Sequence, residues 1–411
     1  MRTILYNILL YVTRLLLPFL SITNPKLRLF YSGRKGLIVN LKQALSTSGK
    51  PKIWIHCSSV GEFEQGLPVI EHLKQSYPDW KVLVTFFSPS GYEAVNNSLI
   101  DFKFYLPLDT PINAKEFIDT ADPKIALFIK YEFWYNYLIE LKKREVPTFS
   151  VSSIFRPSQL FFHALGGWNR KMLRAFDYFM VQDQTSLDLL KSINLTNASV
   201  TGDTRFDRVL KIKDDPTRFP EIEDFCKNEK VFIVGSLRPE DDDVIIEFVK
   251  QQSGFKFIIA PHEITEKHML KLEQALNNCT RHSKLTNKNK DTQVLIIDSI
   301  GKLSRLYRLA NFAYVGGGFS DGIHNILEPA VYNIPVFFGN KYYLKYKEAV
   351  DLTELGGAFP VADANQLSTE LKKLEDPDLL SEVKEKIENY VNANRGAAKK
   401  VVEIIEQMVE K

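Results

Sequence analysis

Residues 52–75 read KIWIHCSSVGEFEQGLPVIEHLKQ: a short apolar run, a polar loop and then a run with the apolar period of a helix. The first run predicts a strand over 52–56, and the last predicts a helix over 62–75. Further apolar runs predict strands at 81–86, 125–129, 147–151, 178–181, 231–234, 255–260, 294–297, 312–315 and 336–338. Short apolar strands that alternate with helices indicate βαβ units, parallel sheets and therefore an α/β fold.

The chain has 411 residues, which exceeds what one hydrophobic core usually supports. A charged stretch with two prolines and no apolar period predicts a linker over 213–229. It separates an N-terminal doubly wound, Rossmann-like domain over 26–212 from a second one over 230–380. Residues 381–411 predict a C-terminal helix that could pack across the junction. Because doubly wound sheets bind ligands at the carboxyl ends of their strands, we expect the active cleft between the two domains.

The N-terminal 25 residues differ in character from the rest. Residues 4–22 read ILYNILLYVTRLLLPFLSI, which is close to the length that spans a bilayer but contains Arg14, a costly residue in hydrocarbon. No small-residue cleavage site of a signal peptide follows. The cations after this run suit an anionic cytoplasmic leaflet: Lys26, Arg28, Arg34 and Lys35. We predict a membrane anchor or interfacial helix over 1–25, with a core helix of the first domain as the alternative.

Composition excludes several classes of function. The net charge of +3 is small for this length and gives no reason to expect a nucleic-acid partner. The three cysteines are widely spaced, so neither a disulfide framework nor a zinc site follows, and a reducing cytoplasmic setting fits. Since no DxD-like pair ends a strand, no metal site is predicted, and the acidic run at 241–243 is interpreted as a partner of a helix dipole.

The loop after the first strand contains Ser59 and Glu62. Their spacing, S-x-x-E before an apolar run, is that of a capping box. A carboxylate at a helix start and a strand end also stays ionised easily, which suits a general base. The pattern alone leaves both interpretations open.

A second loop, residues 316–329, reads GGGFSDGIHNILEP and follows the strand at 312–315. Its glycines allow a close backbone approach to a phosphate, and a following helix start would favour negative charge. His324 and Asn325 can donate hydrogen bonds to a phosphate or base, and Glu328 can accept from a ribose. The alternative is a glycine-rich turn with a core histidine.

Together, WIHCSSVGEFEQGLPVI (54–70) and YVGGGFSDGIHNILEPAVYNIPVFFG (314–339) resemble the Kdo transferase family, whose members move 3-deoxy-D-manno-octulosonic acid from CMP-Kdo to the lipid A precursor. The segment YEFWYN (131–136) is similar to the family's E-x-E-x-W-P-N, and GDTRFD (202–207) to its G-x-x-K/R-F-D. DSIGKL (298–303) and APH (260–262) are similar to its D-T-x-G-E-L and P-R-H. These matches run in the family's order along the chain from about residue 50.

The resemblance implies a GT-B fold with two Rossmann-like domains, the acceptor on the first and the nucleotide on the second. It implies that Glu62 is the general base and that Glu132 and Arg205 support the transition state. It also implies a set of residues that hold CMP-Kdo: Pro261, His262, Ile300, Gly301, Lys302, Gly317, Gly318, His324, Asn325, Ile326, Leu327 and Glu328.

The chain departs from the family pattern at several positions. Lys130 stands where the family has the first acid of E-x-E, Tyr135 replaces its proline, Lys302 replaces the acid of G-E-L, and Ile323 replaces a glycine. Four cations are candidate contacts for the carboxylate of Kdo or the phosphates of lipid A: Lys130, Arg156, Arg205 and Arg238.

The resemblance thus implies an inverting, metal-independent glycosyltransferase without a cofactor, at the cytoplasmic face of the inner membrane. Its expected partners are CMP-Kdo, the lipid A precursor lipid IVA and the membrane surface. One alternative is another GT-B enzyme, a transferase or an epimerase, that acts on a UDP-sugar. Another is a membrane-tethered protein that only binds nucleotide sugars and has no use for Glu62.

Overall fold

The computed structural model describes residues 1–46, 48–286, 289 and 291–410. The chain forms two compact units. Unit 1 contains residues 1–208 and 395–411, and unit 2 contains residues 209–394.

Helices and strands alternate along most of the chain. The α-helices are α1 (Arg2–Thr23), α2 (Pro25–Ser32), α3 (Leu37–Leu45), α4 (Val60–Ser76), α5 (Pro89–Ala94), α6 (Pro111–Ala121), α7 (Tyr135–Lys143), α8 (Gly167–Leu173), α9 (Gln184–Ser192), α10 (Arg205–Lys213), α11 (Pro220–Cys226), α12 (Asp242–Gln251), α13 (Glu266–Ala275), α14 (Leu303–Leu306), α15 (Leu327–Ala330), α16 (Lys347–Leu355), α17 (Ala364–Lys373), α18 (Pro377–Ala393) and α19 (Ala397–Val409). Short 3-10 turns lie at Leu160–Phe162, His282–Lys284, Tyr307–Leu309 and Tyr343–Lys345.

Each unit is built on a parallel sheet. The strands are β1 (Lys52–Cys57), β2 (Lys81–Phe86), β3 (Phe102–Tyr105), β4 (Pro123–Ile129), β5 (Thr148–Ser153), β6 (Tyr178–Val181), β7 (Ala198–Val200), β8 (Lys230–Leu237), β9 (Phe255–Pro261), β10 (Cys279–Arg281), β11 (Val294–Ile296), β12 (Phe312–Val315), β13 (Val336–Gly339) and β14 (Ala358–Val361). Within the described residues, the order is β3-β2-β1-β4-β5-β6-β7 in unit 1 and β10-β11-β9-β8-β12-β13-β14 in unit 2. The predicted doubly wound α/β architecture is confirmed.

The central strand β1 shows how the sheet of unit 1 is buried on both faces. Trp54 packs with side chains from α3, α6 and α7 on one face. Ile53 and Ile55 pack with side chains from α4 and α19 on the other. Because successive side chains of a strand point to opposite faces, a strand covered on both sides is apolar throughout. This accounts for the three consecutive apolar residues of β1, Ile53, Trp54 and Ile55.

The predicted linker at 213–229 is in fact partly helical. It contains α11, whose Ile222 and Phe225 are buried in a core cluster of unit 2. The apolar residues of α11 are spaced for one helix face, but the charged residues between them hide the period in the sequence. The chain leaves unit 1 earlier, within α10.

Residues 381–411 form the end of one helix and a second helix, rather than one continuous helix. α18 belongs to unit 2 and α19 to unit 1, and the two are separated at Gly396, whose φ is +86°. Asp207 accepts hydrogen bonds from the backbone N–H groups of Gly396 at 2.6 Å and Ala398 at 2.7 Å. A side chain from another helix thus caps α19, which packs against α4.

The N-terminal helix α1 is long and apolar enough to cross a membrane. Most of its large apolar side chains are exposed, among them Leu15 at 70% and Phe19 at 68%. This excludes the alternative of a core helix. Arg34, expected to face lipid headgroups, instead donates hydrogen bonds to the carbonyl groups of Leu106 and Phe87, and burial lowers its pKa to about 10. It fixes the N-terminal helices to unit 1.

We expect Asp207→Ala to lower the free energy of unfolding by about 1–2 kcal/mol, the usual effect of losing a helix cap. The reason is that two N–H groups at the start of α19 lose their acceptor. Chemical denaturation measures the change. Asp214→Ala, at an exposed position, is the control, and equal stability of the two variants would contradict the assignment of the cap.

Candidate active site

In unit 1 the polar loops gather at the carboxyl edge of the sheet. β1 lies between β2 and β4, and β5 follows β4. The loops after these strands carry Ser59 and Glu62 after β1, Lys130 and Glu132 after β4, and Arg156 after β5. Because neighbouring parallel strands end at the same edge, the topology brings these side chains to one place. These side chains thus lie at the carboxyl edge of the sheet, where the strand pattern of the sequence predicted a ligand site.

The Glu132 carboxylate lies at the centre of a buried hydrogen-bond network. The Trp134 indole N–H donates to its Oε2 at 2.7 Å, and Nε2 of His56 lies 3.2 Å from the same oxygen. The Ser58 hydroxyl donates to it as well. His56 is fully buried and Glu132 is 9% exposed. The side chains of His56, Ser58 and Trp134 thus surround a carboxylate that water barely reaches.

The network continues into the sheet. The Trp54 indole N–H donates to the Thr85 hydroxyl at 2.8 Å, and Nδ1 of His56 lies 2.9 Å from that hydroxyl and 3.1 Å from the Thr85 carbonyl oxygen. Thr85 thus holds one nitrogen of the imidazole, while the other lies against the Glu132 carboxylate.

These contacts keep Glu132 ionised. Burial acts to raise its pKa, but the His56 hydrogen bond and charge, with the Ser58 and Trp134 hydrogen bonds, outweigh it, and the pKa of Glu132 is lowered. A carboxylate that holds no proton near neutral pH cannot act as a general acid. Glu132 is arranged to present a fixed negative charge.

Glu62 lies in the first turn of α4, two residues after its first residue, and is partly exposed. The Ser59 hydroxyl makes no cap bond to the backbone of α4; it donates to the Glu62 carboxylate instead. Ser59 thus orients the Glu62 carboxylate. Both Glu62 and Glu132 lie close enough to Cys57 for their charges to add to the burial that raises the pKa of this thiol.

Three cationic side chains surround Tyr131 in the loop after β4. Lys130 Nζ is 5.5 Å from the centre of the Tyr131 ring, and Arg156 Cζ is 5.9 Å from it. Burial raises the pKa of Tyr131, while the nearby charges of Arg156 and Arg205 and a hydrogen bond with Arg156 oppose this. Lys130 has a left-handed backbone, with φ at +70°. This cluster of positive charge suits an anionic group.

Arg205 is tied to its own loop. Its Nη2 lies 2.6 Å from Asp203 Oδ2, and its backbone N–H donates to Asp203 Oδ1 at 2.9 Å. Burial acts to raise the pKa of Asp203, but the charges of Arg205 and Lys130 and the Arg205 hydrogen bonds lower it. Arg205 and Lys130 are therefore neighbours of one buried carboxylate.

In unit 2 the functional loops also meet at the carboxyl edge of the sheet. The imidazoles of His262, after β9, and His324, after β12, are stacked with their centres 4.2 Å apart. Arg238, after β8, donates from Nε to Nε2 of His324 at 3.0 Å, and its Nη1 lies 3.4 Å from Asp321 Oδ1. The structure thus brings together Arg238 and the two histidines from three strands.

His324 is not a cation here, because its Nε2 accepts a hydrogen bond from Arg238. Burial lowers its pKa to about 4, and the charges of His262 and Arg238 act in the same direction. The pKa of His262 is lowered by burial and by Arg238. The positive charge at this place therefore comes from Arg238, which His324 orients.

The glycines of the loop at 316–322 serve the packing of the protein itself. A Cβ on Gly316 would lie 2.3 Å from the carbonyl oxygen of Ser236, and one on Gly318 would lie 2.3 Å from that of Gly339. Gly317 has φ at +94° and its Cβ would meet the carbonyl oxygen of Gly322. At these positions a side chain would meet protein atoms, so the packing of the loop itself requires glycine; the predicted approach to a phosphate stays a prediction.

Asp241 anchors the same loop. Its carboxylate accepts from the backbone N–H of Gly317 at 2.8 Å and from the Tyr314 hydroxyl at 2.9 Å. Burial raises its pKa despite these donors. Asp242 contacts His268 and Lys271. Asp241 thus holds the glycine loop and Asp242 holds two side chains of α13. These contacts come in addition to the interaction with a helix dipole that the sequence predicted.

The residues after the glycines have different environments. Asn325 accepts from the backbone N–H of Leu327 at 3.2 Å and so begins α15, which is only four residues long. Ile326 and Leu327 are fully buried. Glu328 is partly exposed, and its charge acts on Tyr307 and Tyr332.

The predicted segment 300–302 follows β11. Ile300 is 92% exposed, and Gly301 has φ at +86° with open space around its α-carbon. Lys302 Nζ lies 3.3 Å from Nδ1 of His282, whose Nε2 is 3.1 Å from Glu221. This segment is not tied to the His262–His324 stack by any contact within the described residues, whereas Pro261 is buried beside His262.

Sequence reasoning missed the partners of the predicted residues. His56, Trp134, Asp203 and Asp241 lie inside or beside the motifs, but their roles come from contacts across strands. A histidine in an otherwise apolar strand was the one available signal. Within the described part of the chain, no three His, Cys, Asp or Glu side chains gather as a metal site would require.

Two parallel sheets with their functional loops at the carboxyl ends of the strands define a GT-B-like α/β fold. The UDP-GlcNAc 2-epimerase from Neisseria meningitidis bound to UDP-GlcNAc has the same fold, with a TM-score of 0.62 over 87% of this chain and 100% of that one, at 15% identity. At such identity the likeness concerns the fold alone.

Residues 32–208 match the model of the family described as 3-deoxy-D-manno-octulosonic-acid transferase (kdotransferase). The chain is 26% identical to the 3-deoxy-D-manno-octulosonic acid transferase of Haemophilus influenzae, over 95% of this chain and 94% of that one. It is 28% identical to that of Aquifex aeolicus, over 79% and 86%. The chain is thus similar to Kdo transferases, which are glycosyltransferases, along most of its length.

We expect Glu132→Gln to be less stable than the wild type near neutral pH, because the lowered pKa of Glu132 stabilises the folded state wherever the carboxylate is ionised. That contribution is present above the ordinary glutamate pKa of about 4.3 and is lost as the pH falls through the folded pKa. Urea denaturation across this pH range measures the difference, which should narrow on acidification. Glu116→Gln, at an exposed position, is the control. A gap that stays constant with pH would refute the assigned cause.

Proposed function

We propose that this protein transfers Kdo from CMP-Kdo to the lipid A precursor lipid IVA in lipopolysaccharide biosynthesis, with inversion and without a metal. The observation that carries the proposal is the pair of carboxylates at one edge of unit 1: Glu62, partly exposed and held by Ser59, and Glu132, buried and kept ionised. Two carboxylates in such different environments suit two different roles. The similarity of the chain to Kdo transferases supports the choice of sugar.

Glu62 is the proposed general base. A sugar hydroxyl is a weak nucleophile, so its proton must leave as its oxygen attacks the anomeric carbon of Kdo. The proton passes to the Glu62 carboxylate, the new carbon–oxygen bond forms, and the bond to the CMP phosphate breaks with its electron pair on CMP. Attack from the side opposite to the leaving group inverts the anomeric centre.

Glu132 does not take the proton in this scheme. Its lowered pKa makes it a fixed anion, and the anomeric carbon becomes electron-poor in the transition state of glycosyl transfer. A preorganised negative charge can stabilise such a centre without reorganisation. Arg205 acts in the same loop region on the anionic groups of the reactants.

The nucleotide is proposed to bind at the carboxyl edge of the sheet in unit 2. Arg238 supplies positive charge, with its guanidinium oriented by His324 and Asp321. The proposed nucleotide site also includes Pro261, His262, residues 300–302, Gly317, Gly318 and residues 324–328. Arg238 can meet the charge of the departing phosphate, so the scheme includes neither a metal nor a cofactor.

The acceptor is proposed to lie against unit 1, on a membrane surface. Its phosphates meet the cations around Tyr131, namely Lys130, Arg156 and Arg205. The exposed apolar side of α1 provides the contact with lipid. Leu160 and Leu165, which are 65% and 77% exposed, extend that apolar surface beyond α1.

The contacts of α1 favour a helix that lies in the membrane interface over one that spans the bilayer. One side of α1 packs against the rest of unit 1 near both ends of the helix. Tyr6 contacts Asp109 near the start, and Leu17 and Ser21 are buried near the end. A helix held along its length by a polar domain cannot be surrounded by hydrocarbon. We place it in the cytoplasmic face of the inner membrane.

We expect Glu62→Gln to reduce kcat by about 100-fold or more, the usual contribution of a general base, with little change in the affinity for CMP. To measure transfer, the purified protein is incubated in detergent with CMP-Kdo and lipid IVA, and the mass of the lipid is determined by mass spectrometry. Glu71→Gln, on the same helix, is the matched control.

Four outcomes would decide between the proposals. Full activity of Glu62→Gln would remove the base assignment, and loss of activity in EDTA would remove metal independence. If the wild type added no Kdo but processed a UDP-sugar, the main proposal would fall in favour of another GT-B enzyme. Binding of nucleotide sugars without any turnover would favour a membrane-tethered binding protein.

We expect the double substitution Leu15→Glu and Phe19→Glu to reduce binding to phosphatidylglycerol-containing vesicles by about tenfold or more, because each apolar side chain contributes about 1.5–3 kcal/mol when buried. Vesicle co-sedimentation measures the bound fraction. Leu344→Glu changes a side chain that is 73% exposed in unit 2 and is the control. Unchanged binding of the double variant would exclude α1 as the membrane contact.

A further inference from the structure

Helix α7 begins directly after the segment that carries Glu132. Its first residue is Tyr135, and Trp134, whose indole holds the Glu132 carboxylate, is the residue before it. The first N–H groups of a helix have no partner within the helix and need acceptors from elsewhere. Trp134 has no side-chain acceptor to offer, so α7 depends on other elements for its cap.

Those acceptors come from the N-terminal helix and from the loop after β3. The backbone N–H of Tyr135 donates to the hydroxyl of Tyr6, which lies on α1. The N–H groups of Asn136 and Tyr137 donate to the carboxylate of Asp109, at 3.1 and 3.0 Å. The Tyr6 hydroxyl in turn donates to Asp109 at 2.7 Å. Tyr6 and Asp109 together therefore form the cap of α7.

Other polar contacts hold α1 against the same place. The side-chain amide of Asn136 donates to Asn7 at 2.9 Å, and the Trp168 indole donates to Thr3 at 2.9 Å. The Tyr6 ring packs against Tyr135 and Trp168 with ring centres 6.0 and 5.4 Å apart. The polar residues of the first two turns of α1 thus all bind the start of α7 or its neighbours.

Asp109 is sensitive to the loss of a donor. It is fully buried, and burial raises its pKa to about 7 although Tyr6, Asn136 and Tyr137 all donate to it and oppose the shift. A buried carboxylate with few spare donors remains an anion only while each donor is in place. Removal of the Tyr6 hydroxyl takes one acceptor from α7 and one donor from Asp109 at the same time.

We propose that α1 is a working part of the active site as well as a membrane contact, with Tyr6 a positioning residue that acts through Asp109 on the start of α7 and so on Glu132. This inference rests on the proposed function, since Glu132 is there a group that stabilises the transition state. It gives the membrane helix a second role. A shift of α1 would act on Asp109 through Tyr6, on the start of α7 through Asp109, and so on Glu132.

The test compares Tyr6→Phe with Tyr11→Phe in the full-length protein in detergent. Both variants remove one hydroxyl from α1, but Tyr11 is exposed and Tyr6 caps α7. We expect kcat for Kdo transfer to fall about tenfold or more in Tyr6→Phe, the size expected for one hydrogen bond to a charged group. The KM for CMP-Kdo and binding to vesicles should not change, and Tyr11→Phe should behave as the wild type.

Hydrogen–deuterium exchange of residues 132–138 provides a readout that does not depend on activity. It should become faster in Tyr6→Phe than in Tyr11→Phe, because an N–H at the start of α7 loses its acceptor. Asp109→Asn tests the route: if Tyr6 acts through Asp109, the double variant should have the kcat of Asp109→Asn alone.

The outcomes separate this inference from the proposed function. If Tyr6→Phe matched Tyr11→Phe in both kcat and exchange, the positioning role would be refuted. Additive losses in the double variant would refute the route through Asp109. If the wild type transferred no Kdo, the proposed function would fail, while the exchange comparison would still decide whether Tyr6 caps α7.

Discussion

The contact between His56 and Glu132 is the interaction on which the site in unit 1 depends. It joins the middle of the sheet to the loop after β4, and it exists because β1 pairs with both β2 and β4. A buried polar chain of this kind is stable only when every member has a partner. Thr85 contacts Nδ1 of His56 and Trp134 donates to Glu132, so the fold itself determines where the carboxylate lies.

The sequence predicted the interior of both sheets and missed their edges. All ten strands expected from apolar runs are present, and the four that were missed, β3, β7, β10 and β14, are the outer strands of the two sheets. An outer strand is covered less and needs fewer apolar side chains, as the exposed or half-exposed residues of β3 and β7 illustrate. Residues 102–105 and 198–200 therefore lack the continuous apolar run by which an interior strand is predicted.

The candidate site was predictable in its loops and not in its contacts. Motifs located Glu62, Glu132 and the loop at 316–328, because these lie at strand ends. The pairings that define their chemistry join residues far apart in the chain: His324 and Arg238 are separated by 86 positions. For the same reason the sequence did not show that packing requires glycine in this loop. The atoms that fill the space beside Gly316 and Gly318 belong to Ser236 and Gly339, which no local pattern connects to them.

Polar residues in the apolar N-terminal run have an explanation in the same terms. Thr3, Tyr6 and Asn7 would be costly in hydrocarbon, and an anchor alone has no need of them. Their spacing of three and four positions places them on one side of a helix, away from the exposed leucines. Each contacts a polar group of unit 1, and two of them meet the first turn of α7. A polar face on an otherwise apolar helix therefore marks the side that binds protein, and here that side reaches the support of the active site.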